Sequence, residues 1–423
     1  MRISHTQMQL SPRPQFQYYG SPQIYLEIAK SVLAGKQRSG EQYLEALESW
    51  LAEWTGARYS LCLPSGRLGL YLALRCLIRP GQKVVLSPYT IFDVVNMVIC
   101  AGGRPVFADI KPETCNIDPR QVKELVDNDT GAVIATHLHG LACDIEEISE
   151  ICRARGVPLI EDCAQCLGGQ VGGRHVGTFG DVGVFSLSLK KNVNTLSGGF
   201  LVTSDDMIHD RIRDQLASFP FEKKRVILKG AAKCLVGDIL TIPPVFQILT
   251  FWLVRYAYLL GGQLIHKFTQ PETRPQLIED LPEQYRRRMT PLQARLALLQ
   301  IENIDQDMQT RLKYARSYCA GLSERQDIGL PPLREDASHT YLAFPIQSAN
   351  RQQLVKHIMS RNCDVRIQSF TNVADQPCFS AYARDCPHAR QTADRVVLLP
   401  TYPGYGEVEV NKMIAAIRSY PHR

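Results

Sequence analysis

The stretch Phe185-Ser186-Leu187-Ser188-Leu189-Lys190-Lys191-Asn192-Val193, followed closely by Ser197-Gly198-Gly199, decides how this 423-residue chain is read. It sets two lysines directly after the short apolar run 182–186, which has the length and composition of a buried strand. A lysine at a strand end, with burial and cationic neighbours to make its neutral amine available, forms an imine with an aldehyde cofactor. The bland reading is a solvated basic pair, and this stretch alone does not exclude it.

Working outward, further short apolar runs stand at 60–63, 83–87, 105–108, 132–136 and 158–161, with helical or loop segments between them. Helical spacing fills 23–54, broken near 35–40, and returns at 68–77 after Pro64-Ser65-Gly66. Such alternation predicts a mainly parallel sheet with helices on both faces, whose ligands sit beyond the carboxyl ends of the strands. A helix is expected over 207–217, then a basic run at Lys223-Lys224-Arg225 and an apolar stretch at 239–254. That stretch has only 16 residues between Asp238 and Arg255 and contains Pro243-Pro244; a membrane span needs about 20. Helical spacing at 289–304, a strand at 341–346 and a helix at 408–417 suit a smaller α/β domain.

Two other strand ends sharpen the lysine. Glu161-Asp162-Cys163-Ala164-Gln165 puts a carboxylate, Asp162, at the end of its own apolar run. A pyridoxal phosphate (PLP) ring withdraws electrons only while its nitrogen is protonated, and a buried carboxylate beside that nitrogen holds the proton. The alternative for Asp162 is a cap on the turn into Ala164. Cys163 and Cys166 form a C-x-x-C spacing without a redox context and read as packing residues. Ser65-Gly66-Arg67 is a glycine turn into a helix, where free backbone N–H groups favour a phosphate, and the Ser186 hydroxyl is a candidate for the same group.

Composition fits a folded enzyme: 45% of residues are apolar and 21% charged, enough to build a core. The net charge of +6 is mild for this length and argues no nucleic-acid partner, while suiting a small anionic substrate. Thirteen scattered cysteines and an N-terminus without an apolar signal core point to reduced thiols and the cytoplasm. No metal site is read from the sequence.

With these segments in hand the chain resembles the sugar aminotransferases of the DegT/DnrJ/EryC1/StrS family. The resemblance rests on Pro64-Ser65-Gly66, Gly102-Gly103-Arg104-Pro105-Val106-Phe107-Ala108-Asp109, His137-Leu138-His139-Gly140 and Glu161 to Gln165. It continues through Gly180-Asp181-Val182-Gly183-Val184-Phe185-Ser186, Lys191-Asn192, Arg288-Met289-Thr290 with Gln293-Ala294, and Leu399-Pro400 with Pro403-Gly404. It implies an α/β fold of PLP-dependent transferase fold type I: a large domain with a mainly parallel sheet flanked by helices, and a smaller C-terminal α/β domain. The expected division is an N-terminal extension at 1–20, a large domain at 21–285 with an apolar helical insertion at about 222–281, and a small domain at 286–423.

The resemblance selects Lys191 rather than Lys190 as the lysine that carries pyridoxal 5′-phosphate. It gives Asp162 to the pyridine nitrogen, Gln165 to the phenolic oxygen, and Ser65, Gly66, Arg67 and Ser186 to the phosphate. It further implies a homodimer, an amino donor such as glutamate, and a keto-sugar acceptor, commonly nucleotide-linked, in surface polysaccharide or secondary metabolite synthesis. The sequence departs from the family at four points: Ile91 stands where an aromatic ring usually covers PLP, Arg67 where Thr is usual, Ser197 for Asp, and Arg286-Arg287 for Asn-Tyr. Arg286, Arg287 and Arg288 are therefore candidates for a substrate phosphate, against the reading of an exposed basic run.

The insertion is longer and more apolar than the family leads one to expect. Trp252, Tyr256 and Tyr258 beside Arg255 and Lys267 suit either an interfacial helix, with peripheral membrane contact through 239–260, or a helical insertion packed on the body or a second subunit. Three rival functions stand beside the sugar aminotransferase: an aminotransferase for a non-sugar carbonyl, a PLP-dependent dehydratase or epimerase, and a catalytically silent regulator or membrane-associated scaffold. Retention of Lys191, Asp162 and Gln165 favours the enzyme.

Overall fold

A computed structural model of the chain describes residues 12–17, 21–33, 40–259 and 275–421. Seven strands form the principal sheet, in the order Tyr59–Leu63, Gly199–Thr203, Val182–Ser186, Leu159–Asp162, Thr130–Thr136, Lys83–Leu86 and Arg104–Phe107. Only Gly199–Thr203 runs against the others. Successive residues of each strand point to opposite faces, and both faces are apolar. Thus Val84, Leu86, Ile134, Val184 and Leu201 enter one core, while Val85, Val133, Phe185, Phe200 and Val202 enter the other. This two-sided burial is why the strands read as unbroken apolar runs rather than as alternating ones.

The expected parallel α/β architecture is therefore present, and six of the strands lie at or within a residue or two of the predicted runs. The antiparallel strand Gly199–Thr203 was not foreseen. Gly198 and Gly199 make it possible: Gly198 has φ +149°, and a Cβ on Gly199 would come within 2.3 Å of the Phe185 carbonyl oxygen.

The smaller sheet orders Phe344–Gln347, Val396–Leu399 and Arg366–Ile367, all antiparallel. Helices Ile304–Leu322, Arg351–Ser360 and Glu407–Arg418 pack on it. Helix Pro291–Leu298 buries Ala294 and Ala297, with Met289, in the core of the large sheet. Residues 12–17 lie against the unit built on the smaller sheet: the Gln15 backbone and side chain donate to Asp364, and the Tyr402 hydroxyl donates to the Pro14 carbonyl. All thirteen cysteines are free thiols.

Within the expected insertion, helix Lys224–Thr241 ends at Ile242, and Pro243-Pro244 start a second helical run reaching Leu259. Proline has no N–H to continue the first helix and its ring clashes with the preceding turn; the two runs meet at 66°. No single helix among the described residues is long and apolar enough to cross a membrane. Ile227, Ala231 and Cys234 pack against Ile24, Ile28, Leu196 and Leu296, and Phe246 and Phe251 enter the core of the small domain. The packed-insertion reading thus holds for one face of these helices. Lys267 lies outside the described residues.

Candidate active site

The strands Leu159–Asp162 and Val182–Ser186 are parallel neighbours, with Val184 opposite Asp162. Their carboxyl ends release Asp162 and, beyond Ser186, the loop that carries the two lysines. Lys190 has φ +69°, the left-handed region that favours glycine, at a cost of about 1 kcal/mol. The twist separates the two side chains. Lys190 Nζ lies 4.3 Å from the centre of the Phe16 ring, whereas the Lys191 backbone N–H donates to the Ser188 carbonyl in a turn. Burial lowers both amines to about 8. What distinguishes them is their company: Lys191 is raised by Asp162 and lowered further by Arg366 and Arg67, while Lys190 is lowered further by Arg366 and Lys233.

Asp162 is almost fully enclosed. Burial pushes its carboxyl up, against the Ala164 N–H at 3.1 Å on Oδ1 and the charge of Lys191. Residues 163–166 form a turn and not a helix, so the capping role of Asp162 is limited to that one bond. A buried carboxylate held up by desolvation is completed by a cationic N–H beside it. A protonated pyridine nitrogen is such a group, and Asp162 fits it.

Next to Asp162, Glu161 serves structure. Its Oε2 accepts from the Gly177 N–H at 2.7 Å and from His137 Nε2 at 3.2 Å, and its Oε1 from the Gly180 N–H at 2.8 Å. His137 Nδ1 accepts from the Cys143 N–H at 3.0 Å, which fixes the proton on Nε2. His137, Glu161 and Cys163 are grouped closely enough to hold a metal ion, but both ring nitrogens and both carboxylate oxygens already have partners.

Gln165 Oε1 accepts from the His139 backbone N–H at 3.0 Å. This leaves the Nε2 hydrogens of Gln165 to donate, as a phenolate oxygen requires. His139 has φ +60° and stacks on Phe370 at 6.1 Å, with Tyr89 edge-on. Its Nδ1 lies 3.4 Å from Gln368 Nε2, and its buried Nε2 has no acceptor among the described residues. Burial, then Arg366 and Lys191, lowers this imidazole to about 3, so it is neutral.

The turn Ser65-Gly66-Arg67 opens the helix Gly66–Leu77. Ser65 Oγ caps it by accepting from the Leu68 N–H at 3.3 Å, and the first turn of such a helix directs backbone N–H groups, here those of Gly66 and Arg67, out of the helix start. A Cβ on Gly66 would lie 3.3 Å from the Phe185 carbonyl and 3.7 Å from Ser186 Cβ, so this helix end and Ser186 share one small cradle. Ser186 Oγ pairs with Ser188 Oγ at 3.0 Å. Arg67 leans sideways: Nε meets Asp93 at 2.8 Å, and Nη1 meets the Tyr285 hydroxyl at 3.5 Å. The cradle fits a phosphate through its backbone and serines.

The departures from the family pattern are also located. Ile91 precedes the helix Phe92–Cys100 and packs half-buried against the core of the large domain. Phe92 stacks on Phe379, 6.2 Å away, and is committed to packing. Ser197 is braced by Gln293 Nε2, which reaches its Oγ at 3.0 Å. The three arginines diverge: Arg286 is exposed, Arg287 is buried and 3.4 Å from Glu283, and Arg288 lies over Phe221 at 4.5 Å.

Three groups escaped the sequence reading: Arg366, Phe370 and the neutral His139. Arg366 and Phe370 come from the small domain and belong to no local motif. Burial lowers Arg366 to about 10, and among the described residues it makes no ion pair.

The model of the DegT/DnrJ/EryC1/StrS aminotransferase family matches residues 23–229 and 267–418. The chain is 25% identical over 405 residues to GDP-perosamine synthase of Vibrio cholerae, covering 92% of this chain and 93% of that protein. Its fold is similar to that of the sugar aminotransferase CalS13 from Micromonospora echinospora, with TM-score 0.75, 20% identity, and 96% and 99% of the two chains covered. It is equally similar to the E. coli GDP-4-keto-6-deoxy-D-mannose-3-dehydratase, with TM-score 0.74, 17% identity, and 96% and 100% covered. A family model that matches most of the chain makes this protein a member of the DegT/DnrJ/EryC1/StrS family of PLP-dependent aminotransferases.

Proposed function

We propose that the chain moves the amino group of glutamate onto the keto carbon of a nucleotide-linked sugar, with PLP carried on Lys191. The arrangement that supports this most directly is Lys191 close enough to the buried carboxylate of Asp162 for the two charges to act on each other, beyond the carboxyl ends of two neighbouring parallel strands. Bound PLP supplies a carbonyl for the amino group and a ring that draws electrons from the adjacent carbon. Asp162 keeps the ring nitrogen protonated, Gln165 donates to the phenolic oxygen, and Ser65, Ser186 and the Gly66 and Arg67 N–H groups receive the phosphate.

Lys191 has a second task once the donor amine displaces it. Its Nζ takes the α-proton of glutamate in the first half-reaction and delivers a proton to the sugar carbon in the second. An amine near 8 suits both directions at neutral pH. We assign Arg366 to a carboxylate of the donor, because it is a guanidinium near Lys191 with no ion pair among the described residues. His139 and Phe370 supply aromatic surface where Ile91 does not.

The reading includes a homodimer, in which the exposed Arg286 is available to a phosphate bound by the neighbouring subunit. The experiment is a spectral titration of the purified protein with PLP. Glutamate should discharge the cofactor's visible absorbance and release 2-oxoglutarate, and a keto-sugar nucleotide should restore the absorbance and yield an amino sugar. Restoration by simple keto acids alone, or water loss from the sugar without donor, contradicts the proposal.

A further inference from the structure

The family model passes from residue 229 to residue 267 and leaves the segment between unmatched. That gap contains most of the bent helical pair, which therefore lies largely outside the part of the chain that the family model describes. Its inner face is anchored firmly. Cys234 is fully buried, with its Sγ 3.4 Å from Asn194 Nδ2, three residues beyond Lys191, and the Tyr25 hydroxyl donates to Asp238. Gly230 lets the first helix approach Leu196, since a Cβ there would lie 3.2 Å from Leu196 Cβ.

The outer face is the reverse of an ordinary enzyme surface. Thirteen of the eighteen exposed large apolar side chains among the described residues fall within 226–259. Ile248 is 79% exposed, Leu253 61% and Val236 55%, and Trp252 lies beside them. An apolar patch this concentrated marks an interaction surface. Charge indicates the kind of partner. Residues 223–259 carry six cations and one acid, and that acid, Asp238, is taken by Tyr25. Lys223, Lys224, Arg225, Lys229 and Lys233 are all exposed. Arg255 is not among them, because its Nη1 donates to Asn362 Oδ1 at 2.7 Å in the small domain.

We infer that this bent pair docks the enzyme onto an anionic phospholipid bilayer, lying in the interface without crossing it. The pair is bent by 66° at Pro243-Pro244 and is held along one face by the protein itself, through Ile227, Cys234, Phe246 and Phe251, which fits a surface-lying foot. The aliphatic side chains enter the acyl boundary, Trp252 sits at headgroup level, and the basic run meets the lipid phosphates. Because the same helix packs against Leu196, the loop bearing Lys191 is held close to the membrane-facing side.

The test is flotation of the full-length protein with phosphatidylcholine vesicles, with and without phosphatidylglycerol. The wild-type chain should float with the anionic vesicles. Ile248→Ser combined with Leu253→Ser should abolish flotation, and Arg225→Glu combined with Lys229→Glu should weaken it about tenfold or more, as should raised salt. Both variants should keep the wild-type melting temperature and cofactor spectrum, so that lost binding is not lost folding. Failure of the wild type to float, equal binding to neutral vesicles, or binding unaffected by either variant overturns the inference. So does an oligomer that the Ile248→Ser and Leu253→Ser protein dissociates, since another copy would then cover this face.

Discussion

The backbone N–H of His139 donates to Gln165 Oε1 at 3.0 Å, so one side-chain amide is oriented by a strained turn on a neighbouring strand end. The amide's Nε2 is thereby committed to donate. Gln165→Glu keeps an acceptor for His139 but replaces the donor with a negative oxygen beside the phenolate. We predict a loss of PLP affinity of about tenfold or more, the scale of one hydrogen bond to a charged group. Equilibrium titration by absorbance checks it; unaltered affinity contradicts the role given to Gln165.

Asp162→Asn removes the charge that keeps the ring nitrogen protonated while leaving shape nearly unchanged. Cofactor should still bind, but turnover should fall by on the order of a hundredfold or more, as for loss of one preorganised electrostatic contact. Steady-state kinetics with saturating PLP separate this from weakened binding. A variant with wild-type kcat contradicts the assignment.

Glu161 is predicted to be structural. Glu161→Ala strands the Gly177 and Gly180 N–H groups and His137 Nε2 in a dry interior, and should lower stability by roughly 3 kcal/mol or more. Urea unfolding checks the size. Because both His137 nitrogens are already used, added zinc should leave the wild-type transition where it is.

Burial raises the Asp364 carboxyl to about 7, against the Gln15 hydrogen bonds that favour its charge. The folded protein therefore holds a proton that the unfolded chain releases near 4. This contribution to stability is fully present below that lower value and is lost as pH rises through about 7. Asp364→Asn should remove the slope: melting temperatures of variant and wild type should diverge between pH 5 and pH 8 by an amount worth a few kcal/mol (~3). Parallel curves contradict it.

Much of this was written in the sequence because parallel strands are buried on both faces and end in their functional residues. The apolar runs ending at Asp162 and Ser186, and the turn at Ser65, each pointed to a candidate site residue at a strand end. What the runs did not reveal came from long-range contacts. Strand Gly199–Thr203 reads as the tail of the lysine segment, and only the close approach of Gly199 to Phe185 turns it antiparallel. The separation of Lys190 from Lys191 depends on one positive φ and on Phe16, far away in the chain. Arg366, Phe370 and Gln368 join His139 only through contacts between segments more than 220 residues apart in the chain. The Pro243-Pro244 break was legible, whereas the exposure of the apolar face beside it required the packing of Ile227, Cys234 and Phe246 to be known.

The central claim is that Lys191, and not its neighbour, holds the cofactor. Reduction of the PLP-loaded protein with borohydride, followed by proteolysis and mass mapping, locates the modified lysine directly. The account predicts the label on Lys191, with no label in Lys191→Ala and full labelling in Lys190→Ala. A label on Lys190, or persistent labelling of the Lys191→Ala protein, would contradict it.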